Sequence, residues 1–243
     1  MSCKTLVLSI ALNGYQWMYR KELGTHKKYA QKQGYNHQAV TRPYISALGV
    51  ECCWLKLTLM RTALLSGYDT VIFLDADTVV NADCPALSSV LENDKHIYMA
   101  KGYSQRFNSG VLIAKNNEHA ISWITRVLDF RLSKVQKEND VGWGENGHII
   151  ELSKGISFIK ELDQKWNNTF DNHLEDYIRH SNCGPMRTDF LHNFFHRSIF
   201  CLSARILAFV NRHQLISDKK YSEDVLSRET KIILSLYPKI TCQ

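Results

Sequence analysis

The chain has 243 residues, 44% of them hydrophobic and 22% charged, and its 30 basic and 24 acidic side chains leave a net charge of +6. This is the composition of a soluble globular protein, long enough for one α/β domain or for such a domain with a helical appendage. The basic excess suits an anionic ligand, but it is too diffuse for a nucleic-acid binder.

Thr5 to Leu12 reads as a strand closed by the loop signal Asn13-Gly14. Met1 to Asn13 carries one Lys and only a strand-length apolar run, short of a signal peptide or membrane anchor, so a cytoplasmic location is expected. Trp17 to Gln33 has amphipathic helical spacing and ends at Gly34, a C-cap residue. His37 to Thr41 is a second short strand, closed by Arg42-Pro43. Cys52 to Ser66 has apolar residues at helical spacing, with Gly67 as its cap. The third strand, Val71-Ile72-Phe73-Leu74, runs directly into Asp75-Ala76-Asp77. This β-α-β-α-β alternation predicts a right-handed, mostly parallel sheet.

Beyond it, Pro85 to Asn93 reads as a short helix and His96 to Ala100 as a strand. Phe107-Asn108-Ser109-Gly110 leads into the apolar run Val111 to Ala114. Glu118 to Leu132 is a helix, and a glycine-rich turn over Gly142 to Gly147 opens the segment His148 to Leu152. Ile156 to Leu162 and Phe190 to Phe195 are further strands; Leu202 to Ile216 and Ser222 to Leu236 are closing helices. The seven cysteines form no C-x-x-C pair, so they read as reduced thiols and not as zinc ligands. Asn167-Asn168-Thr169 is a formal glycosylation sequon that, lacking a secretion signal, is expected to go unused.

The strongest chemical signal is the Asp75/Asp77 pair. A continuous apolar run predicts a strand buried on both faces, and such strands open at their carboxyl ends onto the ligand crevice of α/β sheets. Two carboxylates aimed together at that crevice call for a cation, and a divalent cation on a phosphorylated ligand fits best.

The ordered motifs resemble the GT-A fold glycosyltransferases, in particular the galactosyl- and xylosyltransferase and glycogenin-like families. Gly67 to Asp77 looks like their D-x-D strand, and Trp54 with Lys56 is similar to their W-x-K segment. Phe107-Asn108-Ser109-Gly110-Val111 resembles their F-N-S-G motif. Trp143 with Glu145-Asn146 falls where they carry an acidic–amide pair, commonly Asp-Gln. The resemblance implies a Rossmann-like catalytic domain over 1–200, with a nucleotide-binding half (1–100) and an acceptor half (101–200). A helical tail, 201–243, would pack on the same domain.

It further implies Mn²⁺ or Mg²⁺ on Asp75, Asp77 and a late histidine, His192 or His196, with His192 preferred because it follows the apolar pair Phe190-Leu191. A nitrogen ligand leans towards Mn²⁺. Lys56 would pair with the diphosphate. Ala11, Asn13 and Tyr15 would cradle the nucleoside, with Arg42 and Tyr44 as weaker candidates. Asn108, Ser109, Gly110 and Trp143 would line the sugar subsite. Glu145, with Asn146, would hydrogen-bond the donor sugar or stabilise an oxocarbenium ion, or would act as general base in an inverting enzyme. Glu-Asn in place of Asp-Gln leaves that role open.

The implied reaction is transfer of a sugar from a nucleoside diphosphate, UDP by preference, to a glycan or other hydroxyl acceptor, with retention favoured. No nucleic-acid partner is expected, and the oligomeric state is not legible. Residues 202–216 could lie on a membrane surface, although core packing or dimerisation is the commoner fate of such a helix. The rivals are an aspartate-nucleophile phosphohydrolase, which lacks its downstream acidic cluster here, and a nucleotide- or glycan-binding relic without turnover.

Overall fold

The computed structural model describes residues 4–141, 144–181, 186, 194, 198, 202 and 219–242. A six-stranded sheet forms the centre, with strand order β2-β1-β3-β6-β5-β7. Its strands are β1 (Thr5–Ile10), β2 (Asn36–Val40), β3 (Thr70–Asp75), β5 (Ile97–Ala100), β6 (Val111–Lys115) and β7 (Ile159–Leu162). β1 runs parallel to β2 and β3, and β5 runs parallel to β7, whereas β6 is antiparallel to both β3 and β5. The sheet is therefore mostly parallel, and β3 lies at the seam where its sense reverses.

Side-chain alternation explains the unbroken apolar run in β3. Val71 and Phe73 join Leu6, Leu8, Leu112 and Met99 in one core cluster. Ile72 and Leu74 join Val7, Val111, Ile113 and Tyr98 in the cluster on the other face. Both faces are covered, so no position can be polar until the strand reaches its carboxyl end. The first face is covered by α3 (Leu55–Leu65), α4 (Glu118–Asp129) and a C-terminal helix, α6 (Lys219–Leu236). The second is covered by α2 (Arg20–Gln33), through Tyr29 and Ala30, and by Trp166.

The structure refines several expected elements. The helix expected over Trp17 to Gln33 breaks at Tyr19 into a single turn, α1 (Tyr15–Met18), and α2, which ends at Gly34 with φ of 69°. The helix expected from Cys52 starts as a 3₁₀ turn over Gly49–Trp54 before α3. Pro85 to Asn93 holds only a 3₁₀ turn, Leu87–Ser89. α4 stops at Asp129, with a 3₁₀ turn over Phe130–Leu132, and His148 to Leu152 lies within the helix α5 (Asn146–Ser153). Strand β7 starts three residues later than expected, after Gly155 turns the chain at φ of 71°. A two-stranded ribbon of β4 (Thr78–Val80) and β8 (Ile178–His180) has no counterpart in the expected elements. The expected strand 190–195 and helix 202–216 fall outside the described residues, apart from Phe194 and Leu202.

Hydrogen bonds tie α6 and the turn after it to the N-terminal half. Thr230 Oγ1 meets Thr58 Oγ1 at 2.9 Å, and Tyr68 donates its hydroxyl to the Lys239 carbonyl at 2.8 Å. Glu229, buried, accepts from Ser46 Oγ at 2.9 Å, and the Ser46 amide in turn donates to Asn13 Oδ1 at 2.8 Å.

His26 of α2 pins three elements together. Its Nε2 lies 2.7 Å from the Thr78 carbonyl, which can only accept, so that nitrogen carries the proton. Nδ1 then accepts from Ser9 Oγ at 2.8 Å. Burial pushes the His26 pKa down from 6.5 to about 4, against the raising effect of the Thr78 hydrogen bond. The neutral ring is the folded form, and between these two values only the unfolded chain takes up the proton. His26 should therefore contribute its full stability above pH 6.5, and about 3 kcal/mol of it should be lost as pH falls towards 4. Urea unfolding across that interval should show this slope in the native chain and a shallower one in His26→Gln.

Candidate active site

The site is built at the carboxyl end of β3. Asp75 is the last strand residue; Ala76 and Asp77 form a turn that Thr78 closes by donating Oγ1 to the Asp75 carbonyl at 2.8 Å. The two carboxylates converge because of this turn, and not because of the period-two alternation of an extended strand.

The turn leads into β4, whose antiparallel register with β8 sets Thr78 opposite His180. His180 Nε2 consequently lies 3.2 Å from Asp77 Oδ1 and 3.9 Å from Asp75 Oδ2. On its other edge, Nδ1 meets Asn167 Oδ1 at 2.9 Å. Asn167 donates its amide nitrogen to Asn108, at 2.9 Å to Oδ1 and 3.2 Å to the carbonyl, so its oxygen must face the imidazole. His180 thus carries a proton on Nδ1 and directs Nε2 at the two carboxylates. Burial lowers the pKa of this ring, but the charges of Asp77 and Asp75, with a hydrogen bond to Asp77, outweigh it and the net direction is upward.

Asp75, Asp77 and His180 bring ligand atoms within 4.8 Å of one another, the one such group of three among the described residues. Two carboxylates and an imidazole oriented from behind by an amide fit a divalent cation. Gly110 makes room for this arrangement. A Cβ there would sit 2.1 Å from His180 Cε1 and 2.5 Å from Nδ1. The glycine is also bonded at both ends, with its carbonyl accepting from the Asp75 amide at 2.8 Å and its own amide donating to Asn108 Oδ1 at 2.9 Å.

Lys56 occupies the other side of Asp75. Expected at the diphosphate, it instead points inward and is 2% exposed. Its ammonium lies 2.7 Å from Glu145 Oε1, 3.2 Å from Asp75 Oδ1 and 3.1 Å from the Ser109 carbonyl, and 4.8 Å from the Phe73 ring centroid. Three donors facing these acceptors leave none for a diphosphate.

Glu145 is equally buried, so it is no solvent-facing turn carboxylate. It also accepts from Ser109 Oγ at 2.7 Å. Burial would raise its pKa, but the Lys56 charge and hydrogen bonds from Lys56, Ser109 and Cys53 bring it below the ordinary value, so Glu145 is ionised. Asn146, the first residue of α5, braces the 107–110 loop. It accepts from the Ser109 amide at 2.9 Å and donates to the Phe107 carbonyl at 3.2 Å.

The candidate nucleoside loop follows β1. Ala11 is buried, with its amide bonded to the Val40 carbonyl at 2.8 Å. Asn13, at φ of 57°, donates to the Gly49 carbonyl at 3.0 Å, which joins this loop to the loop after β2. Tyr15 is half-buried at the start of α1, 5.4 Å from the Tyr19 ring. Arg42 lies over the Tyr44 ring at 5.3 Å. Trp143, His192 and His196 lie outside the described residues.

The sequence reading did not single out His180 or the role of Asn167. The available signals were a histidine ending the short Ile178-Arg179-His180 run, and the sequon itself. Asn167, Asn168 and Thr169 are all fully buried, and the Asn167 amide is bonded to Asn108, so the folded sequon has no side chain to offer for glycosylation.

With a seam strand ending in paired carboxylates, a histidine ligand candidate and a buried Lys–Glu pair behind them, the chain has the GT-A fold of nucleotide-sugar glycosyltransferases. Among solved structures it is similar to a glycosyltransferase involved in glycosylation of the major capsid of PBCV-1. The two share 15% identity at a TM-score of 0.56, over 74% of this chain and 95% of that one. It is also similar to apo GlyE of Streptococcus pneumoniae TIGR4, at 14% identity and a TM-score of 0.52, over 86% of this chain and 64% of that one. The bifunctional glycosyltransferase WbbM matches at 12% identity and a TM-score of 0.53, over 75% of this chain and 46% of that one. At these identities the shared property is the fold. No protein-family model matches the sequence, and no curated protein matches it.

Two substitutions test the packing of this site. Gly110→Ala should displace His180 and lower divalent-cation affinity about 10–100-fold, as read by Mn²⁺ titration. Lys56→Met leaves Glu145 and Asp75 without their counter-charge, and should cost about 3–5 kcal/mol in urea unfolding.

Proposed function

We propose that the chain is a divalent-metal-dependent glycosyltransferase that moves a sugar from a nucleoside diphosphate, UDP by preference, to a hydroxyl of a glycan or similar acceptor. The observation that carries this reading is the Asp75–Asp77–His180 group at the carboxyl end of the central strand of a GT-A fold. Asp77 and His180 would hold Mn²⁺ or Mg²⁺ directly, with Asp75 as a further ligand or as the partner of the ribose and a metal-bound water. Bound there, the cation supplies Lewis acidity against the charge that develops on the departing diphosphate.

The chain's own residues divide the remaining work. The loop with Ala11, Asn13 and Tyr15 takes the nucleoside, and Arg42 and Tyr44 flank it. Asn108, Ser109 and Gly110 line the sugar subsite under the bracing of Asn146. Lys56 holds Asp75 and Glu145 in position, a positioning role. The ionised Glu145 places negative charge beside that subsite, which suits stabilisation of an oxocarbenium-like centre. A carboxylate whose pKa is lowered is a poor general base, and this supports retention over inversion. On this reading residues 1–100 form the nucleotide half and 101–200 the acceptor half, with 201–243 a helical tail packed on the same domain. The phosphohydrolase alternative gains no support, because Asp75 is engaged by Lys56 rather than free to attack phosphate.

Calorimetric titration with a panel of nucleoside diphosphates, with and without Mn²⁺, should show Mn²⁺-dependent binding of UDP. Asp77→Ala should abolish both that binding and UDP release from UDP-sugars. If the variant retained both in full, the metal-site assignment would fail.

A further inference from the structure

The outer face of α2 is unusually basic. Arg20, Lys21, Lys27 and Lys28 are all exposed and share an arc of roughly 120° at 3.6 residues per turn. The opposite face buries Leu23, His26, Tyr29 and Ala30. The only acidic residue on the helix is Glu22, which falls on the opposite face, between Tyr29 and His26, and is half-buried. Four cations along about 12 Å of helix therefore face solvent without an intrahelical carboxylate among them.

An aromatic group stands at the amino end of this face. Trp17, in the single turn before α2, is 64% exposed and lies three residues ahead of Arg20, across the break at Tyr19. It stacks on Tyr44, at 5.6 Å between ring centroids, and the Arg42 guanidinium covers the Tyr44 ring. Ile45 beside them is 53% exposed. Trp17 and Arg42 both lie against the Tyr44 ring, and the exposed parts of this group with the Ile45 side chain form an apolar tip on a basic surface. Tryptophan and tyrosine with adjacent cations are the side chains that settle at the headgroup level of a bilayer.

We propose that this face, with α2 as a basic stripe and Trp17–Tyr44–Ile45 as its apolar tip, docks the protein on an anionic lipid surface. Charge complementarity supplies most of the attraction, and the tip seats at the interface. The tip lies in the loops after β1 and β2, at the same edge of the sheet as Asp75, so docking there would hold the candidate active site close to the membrane surface. This docking does not depend on the proposed reaction.

The test is sedimentation of the full chain with vesicles of phosphatidylcholine alone, or of phosphatidylcholine with roughly one third phosphatidylglycerol. The chain should sediment with the second kind and not the first, and high salt should release it. The triple variant K21E/K27E/K28E should bind more than about a thousandfold more weakly, and Trp17→Ser about tenfold more weakly with its salt dependence intact. If charge reversal impairs folding, as circular dichroism would show, the glutamine triple variant replaces it, with a loss of roughly fivefold expected per cation removed. UDP and Mn²⁺ titrations on the lysine variants separate this proposal from the catalytic one, since both ligands should bind them as they bind the native chain. Equal sedimentation of native and variant chains, indifference of the native chain to anionic vesicles, or preference for single-stranded RNA over them at matched salt would overturn it.

Discussion

A lysine ammonium taken out of water has to find its charge balance inside the protein, and Lys56 finds it in Asp75 and Glu145. The three residues come from α3, from the end of β3 and from the residue leading into α5, so one requirement brings three distant parts of the chain together. Ser109 completes the set from a fourth, with its carbonyl accepting from Lys56 and its hydroxyl donating to Glu145. The pairing keeps Glu145 ionised despite its burial and gives Asp75 one engaged oxygen. Its other oxygen, Oδ2, faces His180. The charge arrangement of the whole site follows from that one buried cation.

Around it the backbone is held by side-chain amides. Asn108, Asn146 and Asn167 tie the 107–110 loop to α5 and to His180, while Asn13 ties the loop after β1 to the loop after β2. An amide suits these positions because it donates and accepts at once, so each can satisfy two strands of backbone that no sheet ladder reaches. Buried polar networks of this kind are stable only when every member is satisfied, which restricts each side chain to one orientation. His26, behind the Asp75–Asp77 turn, has the same character, with each ring nitrogen bonded to a different strand.

Where the sequence reading succeeded, the cause was local. The third strand was legible because burial on both faces forces an unbroken apolar run, and its end was marked by Asp75 and Asp77. The ends of α2 and α3 were legible because Gly34 and Gly67 adopt left-handed conformations that other residues resist. Where it was incomplete, the cause was distance along the chain. Lys56 resembles any other lysine on a helix until Glu145, 89 positions later, is brought against it. The helix expected over 85–93 did not form as such because nothing in its short apolar set is periodic enough to outweigh the flanking Pro85 and Asn93-Asp94.

The α/β class, the order of the principal strands and helices, the Asp75/Asp77 pair and the F-N-S-G loop were legible in the residues alone, because each rests on the spacing of neighbouring residues. Folding was needed to reverse the sheet's sense beside β3, to make the two aspartates converge through a turn, and to bring His180 to the group. The register of two three-residue strands nearly a hundred positions apart sets that histidine against Asp77, and strands so short leave almost no periodic trace. The inward turn of Lys56 was decided in the same way, by carboxylates and a cation whose partnership exists only once the chain has folded.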